Sequence, residues 1–303
     1  MNYPHLTETA IAHGCGVTEQ APMSAATTFK VGGPADLLID LPDAAAVSAV
    51  LAACHADGIP YLFIGNGSNL VVGDKGFRGA VLRLEGRKAQ PALLADGRIY
   101  APAGMSLQRL CLFARDHSLS GLEFAYGIPG AVGGAVYMNA GAYDGEMAGV
   151  VVSADCVAPD GTPVTLTADE LNMTYRHTAL MDRNLIVVGT TLQLRAGDYD
   201  TIWTKMKELM ARRHEKQPLE YPSAGSFFKR PVGYFAGKLI QDAGLKGFTV
   251  GGAQVSEKHA GFVINRGGAT AADLVELRDR VHDKVYAEFG VHLEPEVRFV
   301  GEF

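Results

Sequence analysis

Two glycine-rich runs hold the residues whose types and spacing best suit ligand chemistry. The longer, Gly127–Gly145, reads GIPGAVGGAVYMNAGAYDG, with Gly127, Gly130, Gly133, Gly134, Gly141 and Gly145, Asn139 among them, and no Lys or Arg. Glycine loses more backbone freedom on folding than any other residue, so such a cluster needs a reason. Close approach of backbone N–H groups to something large, flat and anionic supplies one. The second run, Gly65-Asn66-Gly67-Ser68-Asn69-Leu70, makes the same suggestion from elsewhere in the chain. Two glycine loops without a phosphate-loop lysine point to a bound dinucleotide rather than a transferred phosphate.

Gly65-x-Gly67 follows a strand, as a Rossmann fingerprint requires. The third glycine is absent, and Val71-Val72 leads to a turn at Gly73-Asp74-Lys75-Gly76 and then another strand. The fingerprint needs strand–loop–helix to aim a helix N-terminus at the pyrophosphate, and that context fails here. Consecutive N–H groups in a backbone nest can still hold a pyrophosphate. Gly65–Gly67 taken alone reads equally as a tight turn.

Other candidates are weaker in isolation. Glu294 and Glu296 flank Pro295, which fixes the local chain, so their side chains should point in different directions. Arg212, Arg213, His214 and Lys216, with Lys229 and Arg230 further on, form a basic cluster. Such cations suit the negative end of a helix dipole or a small bound anion. Arg176 alone reads as a surface arginine, and Ser226 alone as a turn serine. Tyr143 and Tyr175 suit either stacking or core packing. His177 and His259 form no HExxH pair and no Cys/His cluster, so no metal is expected. Cys15, Cys54, Cys111 and Cys156 contain no CxxC spacing and read as free, mostly buried thiols.

The elements that must position these residues follow from periodicity and breakers. Strands are expected at Ala35–Leu41, Tyr61–Ile64, Val81–Leu84, from Ile99, at Leu185–Leu194, Phe262–Asn265 and Val297–Val300. Val150–Ala158 and Pro163–Leu166 flank Asp160-Gly161 and form a hairpin signal. Helices are expected from Pro42-Asp43 to Asp57, and at Ser106–His117, Thr201–Lys216, Tyr234–Ala243 and Thr270–Phe289, the last with a capping box. Pro218–Pro222 cannot be helical. The composition shift at Ala196–Asp200 places a boundary near residue 200, and ligands commonly sit between two such domains.

The chain has 303 residues, 48% of them hydrophobic, enough for a full core and two domains. With 33 acidic and 27 basic residues the net charge is −6, which argues against general nucleic-acid binding but permits a local basic pocket. The start lacks a signal-peptide pattern, and the longest apolar stretch, Ala44–Ala53, is too short to span a bilayer. A cytoplasmic protein is expected, with no membrane partner.

Several motifs then occur in order: Thr28-Phe29-Lys30-Val31-Gly32-Gly33, Gly65–Leu70, Gly127-Ile128-Pro129-Gly130, Asn139-Ala140-Gly141-Ala142-Tyr143, Tyr175-Arg176-His177, Ala224-Gly225-Ser226-Phe227-Phe228-Lys229 and Leu293-Glu294-Pro295-Glu296-Val297. Together they resemble the UDP-N-acetylenolpyruvoylglucosamine reductase (MurB) family from about Ala26 to Glu302. Phe248 through Gln254 to Asn265 is similar to the family's shorter type, which lacks an extra tyrosine-bearing loop. Thr27, where the family usually has Asn, and Arg230, where many members have Asn, are departures. The first touches only a local turn; the second bears on a substrate contact.

The resemblance implies an α+β fold: a two-lobed FAD-binding domain of the vanillyl-alcohol-oxidase (PCMH) type over 1–200, with lobes of about 1–88 and 89–200, then a C-terminal α/β substrate-binding domain over 201–303. It implies non-covalent FAD, NADPH as hydride donor and UDP-N-acetylglucosamine enolpyruvate as substrate, in a monomer. The implied FAD contacts are Gly65, Asn66, Gly67, Ser68, Asn69, Leu70, Gly127, Ile128, Pro129, Gly130, Gly133, Gly134, Asn139, Gly141 and Ala142. Tyr175, Lys229 and Arg230 are implied at the substrate. The implied reaction is conjugate addition of hydride to the terminal carbon of the enolpyruvyl group, with charge developing toward the adjacent carboxylate. That needs electrophilic groups and a proton donor. The resemblance assigns Arg176 to the carboxylate, Ser226 to proton donation and Glu296 to an active role. Glu296, its pKa raised beside the substrate carboxylate, is open to three tasks: neutral hydrogen-bond donor, acid, or orienter of Ser226. An oxidase of the same flavin superfamily and a non-catalytic nucleotide-binding module are the competing readings.

Overall fold

A computed structural model describes residues 3–303, which divide into two compact units. Of these, the first comprises residues 3–19, Leu37–Asn66 and Gly79–Ala211; the second comprises Gln20–Asp36, Gly67–Arg78 and Arg212–Phe303.

The first unit has two cores. One lies under the strand Pro34–Leu41, where Leu37, Ile39 and Leu41 alternate inward, as strand geometry requires. They meet Val47, Val50, Leu51 and Cys54 of the helix Ala44–Asp57, which recur at one helical face, and Leu6 and Ala10 of the helix Pro4–Ala12. Asp43 starts the longer helix by accepting from the Ala46 N–H at 2.9 Å, and Gly58, at φ 62°, ends it in the left-handed region. The sheet runs in the order Gly16–Pro22, Pro34–Leu41, Phe77–Leu84, Tyr61–Ile64. Tyr61–Ile64 and Phe77–Leu84 pair in parallel, with Tyr61 opposite Ala80.

The other core lies on a five-stranded antiparallel sheet ordered Pro163–Thr167, Val151–Val157, Ile186–Leu192, Ile99–Pro102, Ala92–Leu93. The expected hairpin is present, turning at Asp160-Gly161 with Gly161 at φ 88°. Ser106 caps the helix Leu107–Asp116, whose Leu107, Leu110, Cys111 and Ala114 are fully buried.

In the second unit, Ser223–Ser226, Phe262–Asn265, Ala253–Val255 and Thr249–Val250 form an antiparallel sheet in that order. The helix Ala271–Phe289 opens with a Thr270/Asp273 capping box and buries Leu274, Leu277, Val281 and Val285. Leu70–Val72 pairs in parallel with Arg298–Val300.

Some elements depart from the sequence reading. The helix Pro4–Ala12 and the strand Gly16–Pro22 had no clear periodic signal. The glycine run contains a helix, Val132–Tyr137, whose Val132, Ala135 and Val136 are buried at helical spacing; the surrounding glycines masked it. The helix expected from Tyr234 starts at Ala236, because Gly233 is left-handed (φ 79°) and Phe235 extended.

The four cysteines are free, with three buried and Cys15 half-buried. Burial pushes the Cys54 and Cys156 thiols up to about 12 and raises Cys111 further. Since the thiolate is the nucleophile, an aromatic disulfide reagent at pH 8 should titrate Cys15 first and the other three only after denaturation. Rapid reaction of more than one thiol in the folded protein would contradict this burial.

Candidate active site

The two glycine runs meet in the first unit. A Cβ built on Gly65 would lie 3.2 Å from the Ala131 Cβ, and the Asn66 Nδ2 reaches the Pro129 carbonyl at 3.4 Å. The chain itself uses several of the run's N–H groups. Those of Ile128, Val132 and Gly133 donate to the carbonyls of Ala125, Met105 and Ala103 at 2.8–2.9 Å. These bonds fix the loop, and a ligand is left the groups not so engaged. Gly133 and Gly134 then differ in kind. A Cβ on Gly133 would strike Ala103 at 2.8 Å, whereas Gly134 is exposed and a Cβ there would meet nothing within 4 Å. Gly133 serves packing inside the protein, and Gly134 leaves a bare backbone surface. Such a surface, without side chains or charge, fits the flat, anionic body of FAD.

Asn139 ties this run to Arg176. It is fully buried, in the left-handed region (φ 41°). Its Nδ2 donates to the Thr174 carbonyl at 3.0 Å, and its Oδ1 accepts from the Ala148 N–H at 2.9 Å. Thr174 and His177 close a two-residue turn with Tyr175 and Arg176 at its tip. Arg176 is held at φ 56°, and its guanidinium donates to the Asn139 and Gly141 carbonyls at 3.2 Å each. It also lies 4.9 Å from the centroid of the exposed Tyr175 ring. Main-chain carbonyls of the glycine run therefore orient this cation. Ala142 and Tyr143 continue the same run, with Tyr143 also left-handed.

The second unit brings Ser226 and Glu296 onto neighbouring segments. The Glu296 N–H donates to the Phe227 carbonyl at 2.9 Å, and Phe228 bridges Pro295. The Glu296 carbonyl accepts from the Asn69 Nδ2 at 3.0 Å, and the Arg298 N–H donates to the Asn69 carbonyl at 3.0 Å. Gly67, Ser68, Asn69 and Leu70 thus lie beside the Glu296 segment. Ser226 ends its strand after a register shift, with Gly225 at φ 76°. Its neighbours Phe227 and Phe228 are buried, while Ser226 itself is exposed. The two rings lie in the core and do not enclose the Ser226 hydroxyl.

Lys229 pairs with Glu294, and Arg230 stacks over Phe235 at 3.9 Å. Arg212, Arg213 and Lys216 close the helix Tyr199–Lys216. His259 accepts from the Gly261 N–H at 3.0 Å through Nδ1. Among the described residues no cluster of His, Cys, Asp and Glu could hold a metal ion, and no helix is long and apolar enough to cross a membrane. Thr28 stood in a motif without a role and Asn69 among the implied FAD contacts; their side-chain bonds to the Ser223 and Glu296 carbonyls are visible only in the fold.

A family profile described as an FAD binding domain matches residues 35–167, so the first part of the chain defines a flavoprotein of the PCMH type. A second profile, the C-terminal domain of UDP-N-acetylenolpyruvoylglucosamine reductase, matches residues 217–300. The chain belongs to the UDP-N-acetylenolpyruvoylglucosamine reductase (MurB) family. It is 50% identical to the reductase of Agathobacter rectalis over 299 residues, 95% of each chain. It is 50% identical to that of Clostridium botulinum over 93% of this chain and 91% of the other. The crystal structure of the Thermus caldophilus reductase superposes with a TM-score of 0.80 at 36% identity, covering 94% of this chain and 98% of that one.

Two predictions follow from these environments. Gly133→Ala should lower the melting temperature of the FAD-free protein, while Gly134→Ala should leave it unchanged or raise it, since alanine favours a helix by about 1 kcal/mol. Equal losses would contradict the packing difference. Burial, aided by Lys246 and Lys216, holds the His259 pKa below its ordinary value of 6.5. Its contribution to stability is therefore present above pH 6.5 and lost as pH falls through the folded-state value. Urea melts from pH 7.5 to 5 should show a shallower acid loss in His259→Gln than in the parent protein; identical slopes would refute the assignment.

Proposed function

We propose a division of labour among the residues for the family reaction. The protein is an FAD-dependent oxidoreductase that reduces UDP-N-acetylglucosamine enolpyruvate to UDP-N-acetylmuramate with NADPH in peptidoglycan-precursor synthesis. Identity of 50% across 95% of both chains carries that reading. FAD, when bound, supplies a two-electron carrier that accepts hydride from NADPH and delivers it to the enolpyruvyl carbon. Gly65–Leu70, Gly127–Gly130, Gly133, Gly134, Asn139, Gly141 and Ala142 are the proposed non-covalent FAD wall. Buried Asn139 and tightly packed Gly133 serve by shaping it.

Arg176 is proposed to meet the substrate carboxylate. Its guanidinium remains charged and can present two parallel N–H donors, so it stabilises the charge that develops there. Ser226 Oγ is proposed to deliver the proton to the neighbouring carbon. Serine is a poor acid, so the transfer needs support; Glu296 is on the adjoining segment and suits either relay or orientation. General acid catalysis of this kind contributes about 100- to 10,000-fold. Lys229, Arg230 and Tyr175 are proposed at the UDP-sugar. The Lys229–Glu294 pair must loosen or share its charge for Lys229 to reach a phosphate. The direct Phe248–Gln254 connection supports the shorter family type. A monomeric, cytoplasmic enzyme completes the proposal.

The test separates the half-reactions. Under anaerobic conditions NADPH should bleach the flavin, and the enolpyruvyl substrate should restore its colour; a flavin that NADPH does not bleach would overturn the reading. Ser226→Ala should leave bleaching nearly intact and slow restoration by about 100-fold or more. Equal slowing of both steps would make Ser226 structural. Arg176→Lys should also be damaging, since lysine lacks the planar fork. Near-normal turnover would remove Arg176 from the carboxylate. Gly134→Ala should weaken FAD binding without loss of stability.

A further inference from the structure

The motif Thr28-Phe29 has no part in the chemistry above, yet its contacts join two pieces of the candidate site. The Thr28 N–H donates to the Gly67 carbonyl at 3.2 Å, and the Thr28 hydroxyl donates to the Ser223 carbonyl at 2.7 Å. The hydroxyl also lies 3.4 Å from the Gly67 carbonyl. A hydroxyl has one proton, so its short bond goes to Ser223 and the backbone N–H serves Gly67. Both donors of one residue are thus spent on carbonyls of two distant segments, the first glycine loop and the strand that ends at Ser226.

The surroundings make this a brace. The Phe29 carbonyl accepts from the Asn265 Nδ2 at 3.0 Å, on the strand that pairs with Ser223–Ser226. The Phe29 ring meets Phe227 edge-on with centroids 6.3 Å apart. Between Ser223 and Ser226 the ladder loses register and Gly225 is left-handed. Beyond Ser226 the Phe227 N–H is anchored on the Gly261 carbonyl at 2.9 Å. Ser226 itself is paired with Phe262 after the register shift, and Thr28 holds the strand upstream of that shift, at Ser223.

We propose that Thr28 is a positioning residue for the reductive step: its hydroxyl fixes the Ser226 segment relative to the first glycine loop. It touches no reacting atom. The inference rests on the reading of Ser226 as proton donor. A misplaced donor costs rate steeply, because proton transfer requires hydrogen-bond reach.

Thr28→Val keeps the shape and removes the hydroxyl, and Thr28→Ser restores it. In FAD-loaded protein, Thr28→Val should slow flavin reoxidation by the enolpyruvyl substrate about tenfold, with reduction by NADPH within about twofold of the parent. Thr28→Ser should recover most of that loss. Amide exchange of the 223–228 segment should quicken in Thr28→Val and not in Thr28→Ser, with or without FAD. If Thr28→Val does not yield flavin-loaded protein, Thr28→Cys, a weak donor of similar size, is held to the same criteria. Slowing of both half-reactions alike, failure of Thr28→Ser to recover, or unchanged exchange would overturn the proposal. Ser226→Ala measured alongside separates the two ideas. If it reoxidises normally, the reading of Ser226 fails; if it is slow while Thr28→Val is normal, only the role of Thr28 fails.

Discussion

The second unit depends on a short parallel ladder in which Arg298–Val300, at the end of the chain, pairs with Leu70–Val72. Leu70 closes the first glycine loop, and Glu296 lies two residues before the final strand. Pairing them in parallel sets both functional segments at the same end of the ladder. Asn69 extends the pairing by one step, accepting from the Arg298 N–H and donating to the Glu296 carbonyl. Parallel strands cannot be joined by a tight turn, so this contact must be made across the length of the chain. Once made, it fixes the glycine loop, the acidic segment and, through the Phe227 carbonyl, the serine strand together.

In the first unit the equivalent constraint is a buried amide. Asn139 has no exposure to solvent, so an unpaired donor or acceptor there would cost about 1–3 kcal/mol. Both ends of its side chain are satisfied within the fold. The glycine run is thereby locked to the turn bearing Arg176, whose guanidinium takes its direction from two carbonyls of that run. Four hydrogen bonds, two of the Asn139 side chain and two of the guanidinium, thus do what a rigid helix would do elsewhere: they hold a long cation in one orientation. In the role proposed for Arg176, charge pre-organised in this way costs no reorganisation at the moment of reaction.

The proposed chemistry joins weak parts that gain strength from placement. A serine is a poor acid, a glycine loop carries no charge, and a half-buried lysine paired with glutamate is half neutralised. None would mark an enzyme by composition. Their order along the chain identified the family, since local motifs in a fixed sequence reflect a fold that needs each of them.

Much of this was legible in the residues. The hairpin at Asp160-Gly161, the Thr270/Asp273 capping box and the strand at Tyr61–Ile64 follow from turn chemistry, capping and short-range periodicity. The failure of the Rossmann fingerprint was equally local: the segment after the loop, Leu70–Val72, is a strand and not the helix the fingerprint needs. The glycines announced close approach of backbone, but not which of them serve packing and which face open space; that difference between Gly133 and Gly134 rests on Ala103, distant in sequence. The parallel ladder and the threonine brace were invisible in the sequence. Each is a hydrogen bond between segments tens or hundreds of residues apart, whose partners carry no local pattern. The sequence by itself determined most of the elements, the cofactor class and the family. Only the tertiary structure decided which carbonyl each donor meets, because that choice is made when distant strands pack.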